Sequence, residues 1–249
     1  MPKVDSLRIK LFLDGAELPA MKEAVASNPL IKGFTTNPTL MRKAGITDYA
    51  AFAKEAIKVV GERSISFEVF SDDFETMERE AREIRSWGGN TYVKIPVTNT
   101  KGASSAGLIR KLSGEGIALN VTAILTSAQV REVASALAAK TPSIVSVFAG
   151  RIADSGVDPM PIMRECARIL ESRPKAELLW ASPRELLNIF QADEVGCHII
   201  TATKDVLAKL ALVGKDLTQY SLETVQMFYR DAHAAGYQLV PPLKATSAA

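Results

Sequence analysis

Apolar and polar positions along this 249-residue chain switch between two periods. Eight short β-rich runs recur, reading IKLFLD, GFTTNP, SISFEVF, TYVKIPV, IALNVTAIL, SIVSVFAG, AELLWAS and CHIITAT. Between them lie stretches of helical spacing, clearest in DDFETMEREAREIRSWGG, where Phe74, Met77, Ala81 and Ile84 form an apolar stripe and charges cover the remainder. Asp73 is placed to cap that helix and Gly88-Gly89 to end it, while Pro29, Pro142 and Pro174 fall in turns before strands. Eight strand-helix alternations with short connections predict an α/β protein of the (β/α)8 barrel type, because the count closes; an open doubly wound sheet is the poorer fit. There is no Gly-rich dinucleotide fingerprint. TKDVLAKLALVG reads as the eighth helix. Residues 221–237, SLETVQMFYRDAHAAGY, read as an extra C-terminal helix with Leu222, Val225, Phe228 and Tyr229 on an apolar side. Periodicity does not choose between its own barrel and a neighbouring subunit as the place where that side packs. The expected organisation is a single barrel domain over residues 1–249, with a frayed tail over 240–249 where Pro241-Pro242 stops the helix.

The run Thr91-Tyr92-Val93-Lys94-Ile95-Pro96-Val97 sets one ammonium in an apolar strand. Alternation puts Tyr92, Lys94 and Pro96 on one face and Val93, Ile95 and Val97 on the other. If the apolar face packs outward on helices, Lys94 projects into the barrel. Burial disfavours the ammonium of a lysine, and a neutral amine is the nucleophile that forms a Schiff base with a carbonyl. The plain alternative is a strand-end lysine that snorkels to solvent.

Active sites of such barrels lie at the C-terminal ends of the strands, so polar residues of inward parity there are the candidates. Asp14 ends strand one on the Phe12 side, Thr36 and Asn37 follow on strand two, and Glu68 on strand three stands opposite Phe67 and Val69. Strand five offers Asn120 and Thr122, strand six Ser146 and Phe148 before Arg151, and strand seven Ser182 and then Arg184. Each has a structural reading of its own. Asp14 before Gly15 can cap a turn, Asn37 before Pro38 can shape one, and Glu68 can pair with Lys94 for structure alone. Those readings leave the shared parity unexplained. Two carboxylates, a lysine and several hydroxyl or amide groups at one rim make an acid/base and nucleophile assembly.

Composition narrows the partners. With 47% hydrophobic and 23% charged residues and a net charge of +2, this is an ordinary globular chain with no pull toward nucleic acid. Cys166 and Cys197 stand outside any CxxC spacing and read as buried thiols. His198 and His233 are isolated, so no metal and no cofactor are expected, an all-carboxylate magnesium site being the alternative. No run of about 18 apolar residues occurs, and the apolar stretch near the N-terminus is too interrupted for a signal peptide. The expectation is a cytoplasmic protein without membrane contact.

The segments LFLDG, GFTTNPTL, SFEVF, YVKIPVT, LNVTAILTSAQ, SVFAGRI and WASPRE, in this order, resemble the transaldolase family, with TTNPTL and VKIP the most specific. The resemblance implies a (β/α)8 barrel with a Schiff-base lysine on strand four, which agrees with the separate placement of Lys94. It implies Asp14 as the acid/base of carbon-carbon cleavage and Glu68 with Thr122 as the pair that handles the catalytic water. Asn37, Asn120 and Ser146 match positions that hydrogen-bond the three-carbon unit; Arg151, Ser182 and Arg184 match phosphate-binding positions. One departure is Pro183, where a bulkier, often aromatic residue is expected; it fixes φ beside Arg184. The implied activity is transfer of a dihydroxyacetone unit between sugar phosphates, in the chemistry of the pentose phosphate pathway. The implied assembly is a homo-oligomer, a pentamer or decamer that exchanges a C-terminal helix. The related fructose 6-phosphate aldolases release free dihydroxyacetone and tend to carry Gln and Tyr where this chain has Glu68 and Phe148. A silent barrel that only binds a sugar phosphate would have no reason to keep Lys94, Asp14 and Glu68 together.

Overall fold

The computed structural model describes residues 3–240. It divides into two compact units, Val4–Ala211 and a unit whose described C-terminal part spans residues 212–240. The tail expected over 240–249 lies, from residue 241 onward, outside the described residues.

In the first unit eight strands close a barrel in sequence order: β1 (Lys10–Asp14), β2 (Ile31–Thr35), β3 (Ser64–Glu68), β4 (Thr91–Pro96), β5 (Leu119–Ile124), β6 (Ser143–Val147), β7 (Ala176–Trp180) and β8 (Ile199–Ala202). Every neighbouring pair is parallel, β1 with β8 included. This is the TIM barrel that the eight runs predict. Around it lie α1 (Leu18–Ser27), α2 (Pro38–Lys43), α3 (Tyr49–Val60), α4 (Phe74–Ser86), α5 (Ala106–Gly114), α6 (Ser127–Ala136), α7 (Ala149–Asp154), α8 (Pro159–Leu170), α9 (Leu187–Glu194) and α10 (Lys204–Ala208). Local chemistry starts several of them. Asp48 and Asp73 cap α3 and α4 by accepting from the backbone N–H of Ala51 and Thr76, and Thr126 with Gln129 forms a capping box on α6.

Strand alternation separates two apolar layers. Outward residues such as Phe67, Val93, Ile95 and Val121 meet Met77, Ala81 and Ile84 from the helices in the main core. Burying each large apolar side chain there is worth about 1.5–3 kcal/mol. A smaller cluster, Phe12, Ile144, Leu179, Ala181 and Ile199, fills the barrel interior, with Tyr92 and Phe148 packed against it. Gly33 makes room for this filling, because a Cβ there would stand 2.5 Å from the Phe12 ring. The filling gives the polar rim above it an apolar floor.

The second unit carries α11 (Leu217–Ala234), capped by Asp216 accepting from the Gln219 backbone N–H. Lys215 forms an ion pair with Glu223 on its first turns. The helix buries none of its residues, and Val225, Phe228 and Tyr229 are 60%, 63% and 63% exposed.

Candidate active site

The register of the barrel decides which rim residues meet. Glu68 on β3 stands beside Lys94 on β4, and Lys94 beside Asn120 on β5, so three polar side chains form one row across three strands. The Lys94 Nζ lies 3.1 Å from Glu68 Oε2 and donates to the Thr36 carbonyl oxygen at 3.2 Å. Its side chain is only 7% exposed, so the pair sits where water screens weakly and electrostatic interactions are strong. Asn120 is pinned in turn. Its amide donates to Ser66 Oγ at 3.0 Å and its carbonyl oxygen accepts from Ser146 Oγ at 2.6 Å, which fixes the orientation of the amide.

Across the rim, Asp14 accepts from Thr35 Oγ1 at 2.7 Å, and Thr35 shares a 2.5 Å hydrogen bond with Thr201. Burial pushes the Asp14 carboxyl above its ordinary value, against the opposing pulls of Lys94 and of the Thr35 hydroxyl. A carboxyl whose proton affinity is raised at the edge of the cavity is suited to taking up and returning protons.

Thr122 lies beside Pro96 in the β4–β5 register, and its buried hydroxyl has no hydrogen-bond partner in the protein. Leaving such a group dry costs about 1–3 kcal/mol, so it calls for a water or a ligand atom. The next residue, Ala123, has φ +61°, and the β5–β6 register shifts between Val121 and Ile124. Among the described residues Ala123 and Ser182 (φ +60°) are the only non-glycines at positive φ, and both line the same cavity. Backbone strain of this kind collects at functional sites.

Two arginines gather at one side of the rim. Arg151 on α7 lies 5.4 Å above the Phe148 ring. The loop after β7 runs against α7 so closely that a Cβ on Gly150 would sit 1.6 Å from the Ser182 carbonyl oxygen, so only glycine lets Arg151 approach Ser182 and Arg184. Arg184 grips Asp154 through Nε, at 2.9 Å, and through Nη2, which holds the Asp154 carboxyl below its ordinary value. Lys43, from α2, adds an ammonium to the lining. Among the described residues no three His, Cys, Asp or Glu side chains gather as a metal site, and no helix is long and apolar enough to cross a membrane.

The sequence model of the Transaldolase/Fructose-6-phosphate aldolase family matches residues 11–239. The chain is 36% identical over 225 residues to a probable transaldolase of Thermoanaerobacter sp. (strain X514), which covers 90% of this chain and 98% of that relative. The chain belongs to the transaldolase/fructose-6-phosphate aldolase family. A probable transaldolase of Thermoplasma volcanium is 37% identical over 206 residues, 81% of this chain and 87% of its own. Among solved structures, a dihydrodipicolinate synthase family protein from Coccidioides immitis superposes with a TM-score of 0.58 at 12% identity, over 94% of this chain and 80% of that one, a likeness of fold alone.

For this transaldolase-family chain, ten of the twelve residues singled out in the sequence line one cavity of about 600 Å³: Asp14, Asn37, Glu68, Lys94, Thr122, Ser146, Phe148, Arg151, Ser182 and Arg184. Asn120 lies fully buried behind them. Thr36 is the exception in direction. β2 ends at Thr35, the Thr36 hydroxyl turns to the Ser66 carbonyl oxygen, and only the Thr36 carbonyl reaches Lys94. Asn37 spends its side-chain oxygen on the Leu40 backbone N–H as the cap of α2. Thr35 and Thr201 are the inward residues that sequence reading passed over. Alternation held the signal, since Phe34 faces out and so assigns Gly33 and Thr35 to the interior, as Ile200 does for Thr201.

Proposed function

We propose that this protein is a transaldolase that moves a dihydroxyacetone unit from a ketose phosphate, such as fructose 6-phosphate or sedoheptulose 7-phosphate, to an aldose phosphate through a Schiff base on Lys94. The observation that carries the reading is a lysine buried inside a barrel, 3.1 Å from one carboxylate and within the electrostatic reach of a second. The Lys94 ammonium passes a proton to Glu68, the freed amine adds to the ketone carbon, and the carbinolamine loses water to give the imine. Glu68 exchanges the protons of that step through a water, for which the unpartnered Thr122 hydroxyl supplies a second anchor. Asp14 then takes the proton of the C4 hydroxyl as the C3–C4 bond breaks, and the bonding electrons pass into the imine to form an enamine. The aldose phosphate leaves, the enamine attacks an acceptor aldehyde with Asp14 returning the proton, and water hydrolyses the new imine to release the product ketose phosphate and the Lys94 amine. Arg151, Ser182 and Arg184 grip the phosphate with charge-assisted bonds. Borohydride in the presence of fructose 6-phosphate is expected to fix a three-carbon adduct on Lys94, located by peptide mass; an adduct on another lysine, or none, would falsify the mechanism.

The second reading, a fructose 6-phosphate aldolase that releases dihydroxyacetone, differs in whether the enamine is protonated. Phe148 lines the cavity with an apolar ring and no proton, which favours transfer. Donor alone should give about one glyceraldehyde 3-phosphate per site, and Phe148→Tyr should turn donor over steadily. A parent that turns over on donor alone as fast as it transfers is an aldolase.

The exposed apolar side of α11 supports a homo-oligomer. Light scattering on the eluting protein should read a pentamer or decamer; a monomer removes that assembly. A cytoplasmic location belongs to the same proposal.

A further inference from the structure

β2 and β3 part company before the rim is reached. Their register runs from Gly33 with Ser64 to Thr35 with Ser66, and the Thr36 N–H donating to the Ser66 carbonyl oxygen at 3.2 Å is the last bond between them. In a parallel ladder alternate residues bond to the same neighbour, so Glu68, two residues after Ser66, turns its N–H and C=O toward a strand that has ended. A buried peptide left open at that edge would be costly and free to tilt.

The Tyr49 hydroxyl fills the gap. It accepts from the Glu68 N–H at 2.9 Å and donates to the Glu68 carbonyl oxygen at 2.8 Å, so one oxygen atom serves both halves of the missing strand partner. On the opposite edge the Val69 N–H donates to the Lys94 carbonyl oxygen at 3.0 Å, which leaves the Glu68 peptide fixed from both sides. The tyrosine is itself held. It opens α3 next to the Asp48 cap, and its ring meets Phe67 at 6.3 Å, Phe70 at 5.7 Å and Trp87 at 5.7 Å between centroids. Two acceptor-donor roles on one hydroxyl require the neutral phenol, and burial pushes its ionisation well above the ordinary tyrosine value.

We infer that Tyr49 is a positioning residue that stands in for the absent β2 partner of Glu68 and thereby aims the Glu68 carboxylate at Lys94. The inference rests on the Schiff-base reading of Lys94 for its catalytic consequence, though not for the clamp itself. Tyr49→Phe removes only the hydroxyl and keeps the ring among its aromatic neighbours. Two measurements on the full-length protein test it. Hydrogen exchange at the Glu68 amide should accelerate about tenfold in the variant, since its sole acceptor is gone. The rate at which the borohydride-trappable Lys94 adduct forms should fall about tenfold with the KM for the phosphorylated donor unchanged, because the phosphate grip lies elsewhere on the rim. In a Glu68→Gln background the same substitution should slow trapping less than about twofold, as two residues acting through one group are non-additive. Unchanged exchange at Glu68 overturns the clamp. Accelerated exchange with an unchanged trapping rate, or a full tenfold loss on top of Glu68→Gln, overturns the positioning role. A parent that yields no adduct on Lys94 strikes the Schiff-base reading and with it the catalytic half of the inference, while the exchange result still decides the clamp.

Discussion

Two lysine-glutamate pairs stand at opposite ends of the same barrel. At the N-terminal ends of the strands Lys10 Nζ lies 2.6 Å from Glu177, with side chains 45% and 29% exposed. At the C-terminal ends Lys94 lies 3.1 Å from Glu68, with side chains 7% and 17% exposed. Each pair borders a cavity, of about 480 Å³ and about 600 Å³. Neither the ion-pair distance nor the size of the hollow separates them, since the shorter contact is the wetter one. The difference lies in what surrounds the charges. Lys10 keeps company with Lys32 and Arg63, which donate to the backbone carbonyls of Pro29 and Ile31 and stay near water. Lys94 is ringed by a raised carboxyl, an orphan hydroxyl and two strained residues. A screened pair contributes little beyond holding its own end of the barrel together; a dry one stores electrostatic energy that a reaction can draw on.

Five substitutions sharpen that contrast. Lys94→Met should abolish turnover, a loss beyond about 10³-fold, because the proposed mechanism then has no nucleophile. Residual activity within about tenfold of the parent would make the dry pair structural, like its counterpart.

Asp14→Asn is expected to slow carbon-carbon cleavage by about 10²–10⁴-fold, the usual worth of a positioned acid/base. Stability should move the other way. The carboxyl binds its proton more tightly in the folded chain than in the unfolded one, so ionising it costs stability as pH rises through the folded-state value. The amide carries no such cost. Melting curves should therefore place the variant above the parent at neutral pH, with the gap narrowing as the solution is acidified and closing below the ordinary carboxylate range. A gap that widens on acidification reverses the sign and the argument.

Arg151→Ala and Arg184→Ala should each weaken phosphorylated donors about ten- to hundredfold in kcat/KM, with dihydroxyacetone and glyceraldehyde much less affected. Arg184 already holds Asp154, so a phosphate must share it, and the Arg151 variant is expected to lose more. Equal losses on both substrate types, with the far-ultraviolet circular dichroism retained, would make the rim cations structural.

Lys10→Met should leave activity as it is and change stability by less than about 1 kcal/mol, as for other exposed pairs. A kinetic defect in that variant would bring the N-terminal cavity into the reaction and dissolve the contrast.

Much of this rim was legible in the chain because strand parity is a local property. Once eight runs are taken to close, alternation alone turns Lys94, Glu68, Asn120 and Ser146 inward, and the C-terminal rule selects the end at which they matter. Parity weakened where strands end. Reading β2 from Gly33 through Asn37 carried it past Thr35, and it assigned Thr36 to a cavity that its hydroxyl faces away from. The length of a strand is set by when its partner stops bonding to it, which the run of residues does not state.

The sequence by itself determined the eightfold alternation, the faces of the strands, the helix caps and the inward placement of Lys94, Glu68 and Asp14 that the proposed mechanism uses, all consequences of spacings within a few residues. Tertiary structure decided the rest. It set the register that pairs Glu68 with Lys94 rather than with another inward residue, the burial that leaves the Thr122 hydroxyl without a partner, and the approach of Gly150 to Ser182 that brings the arginines to one side. It also brought the Tyr49 hydroxyl to the peptide of Glu68, 19 residues away along the chain. These depend on where separate segments meet when the barrel closes, and the fit between surfaces distant in sequence is fixed by the packing of the whole, which no local period encodes.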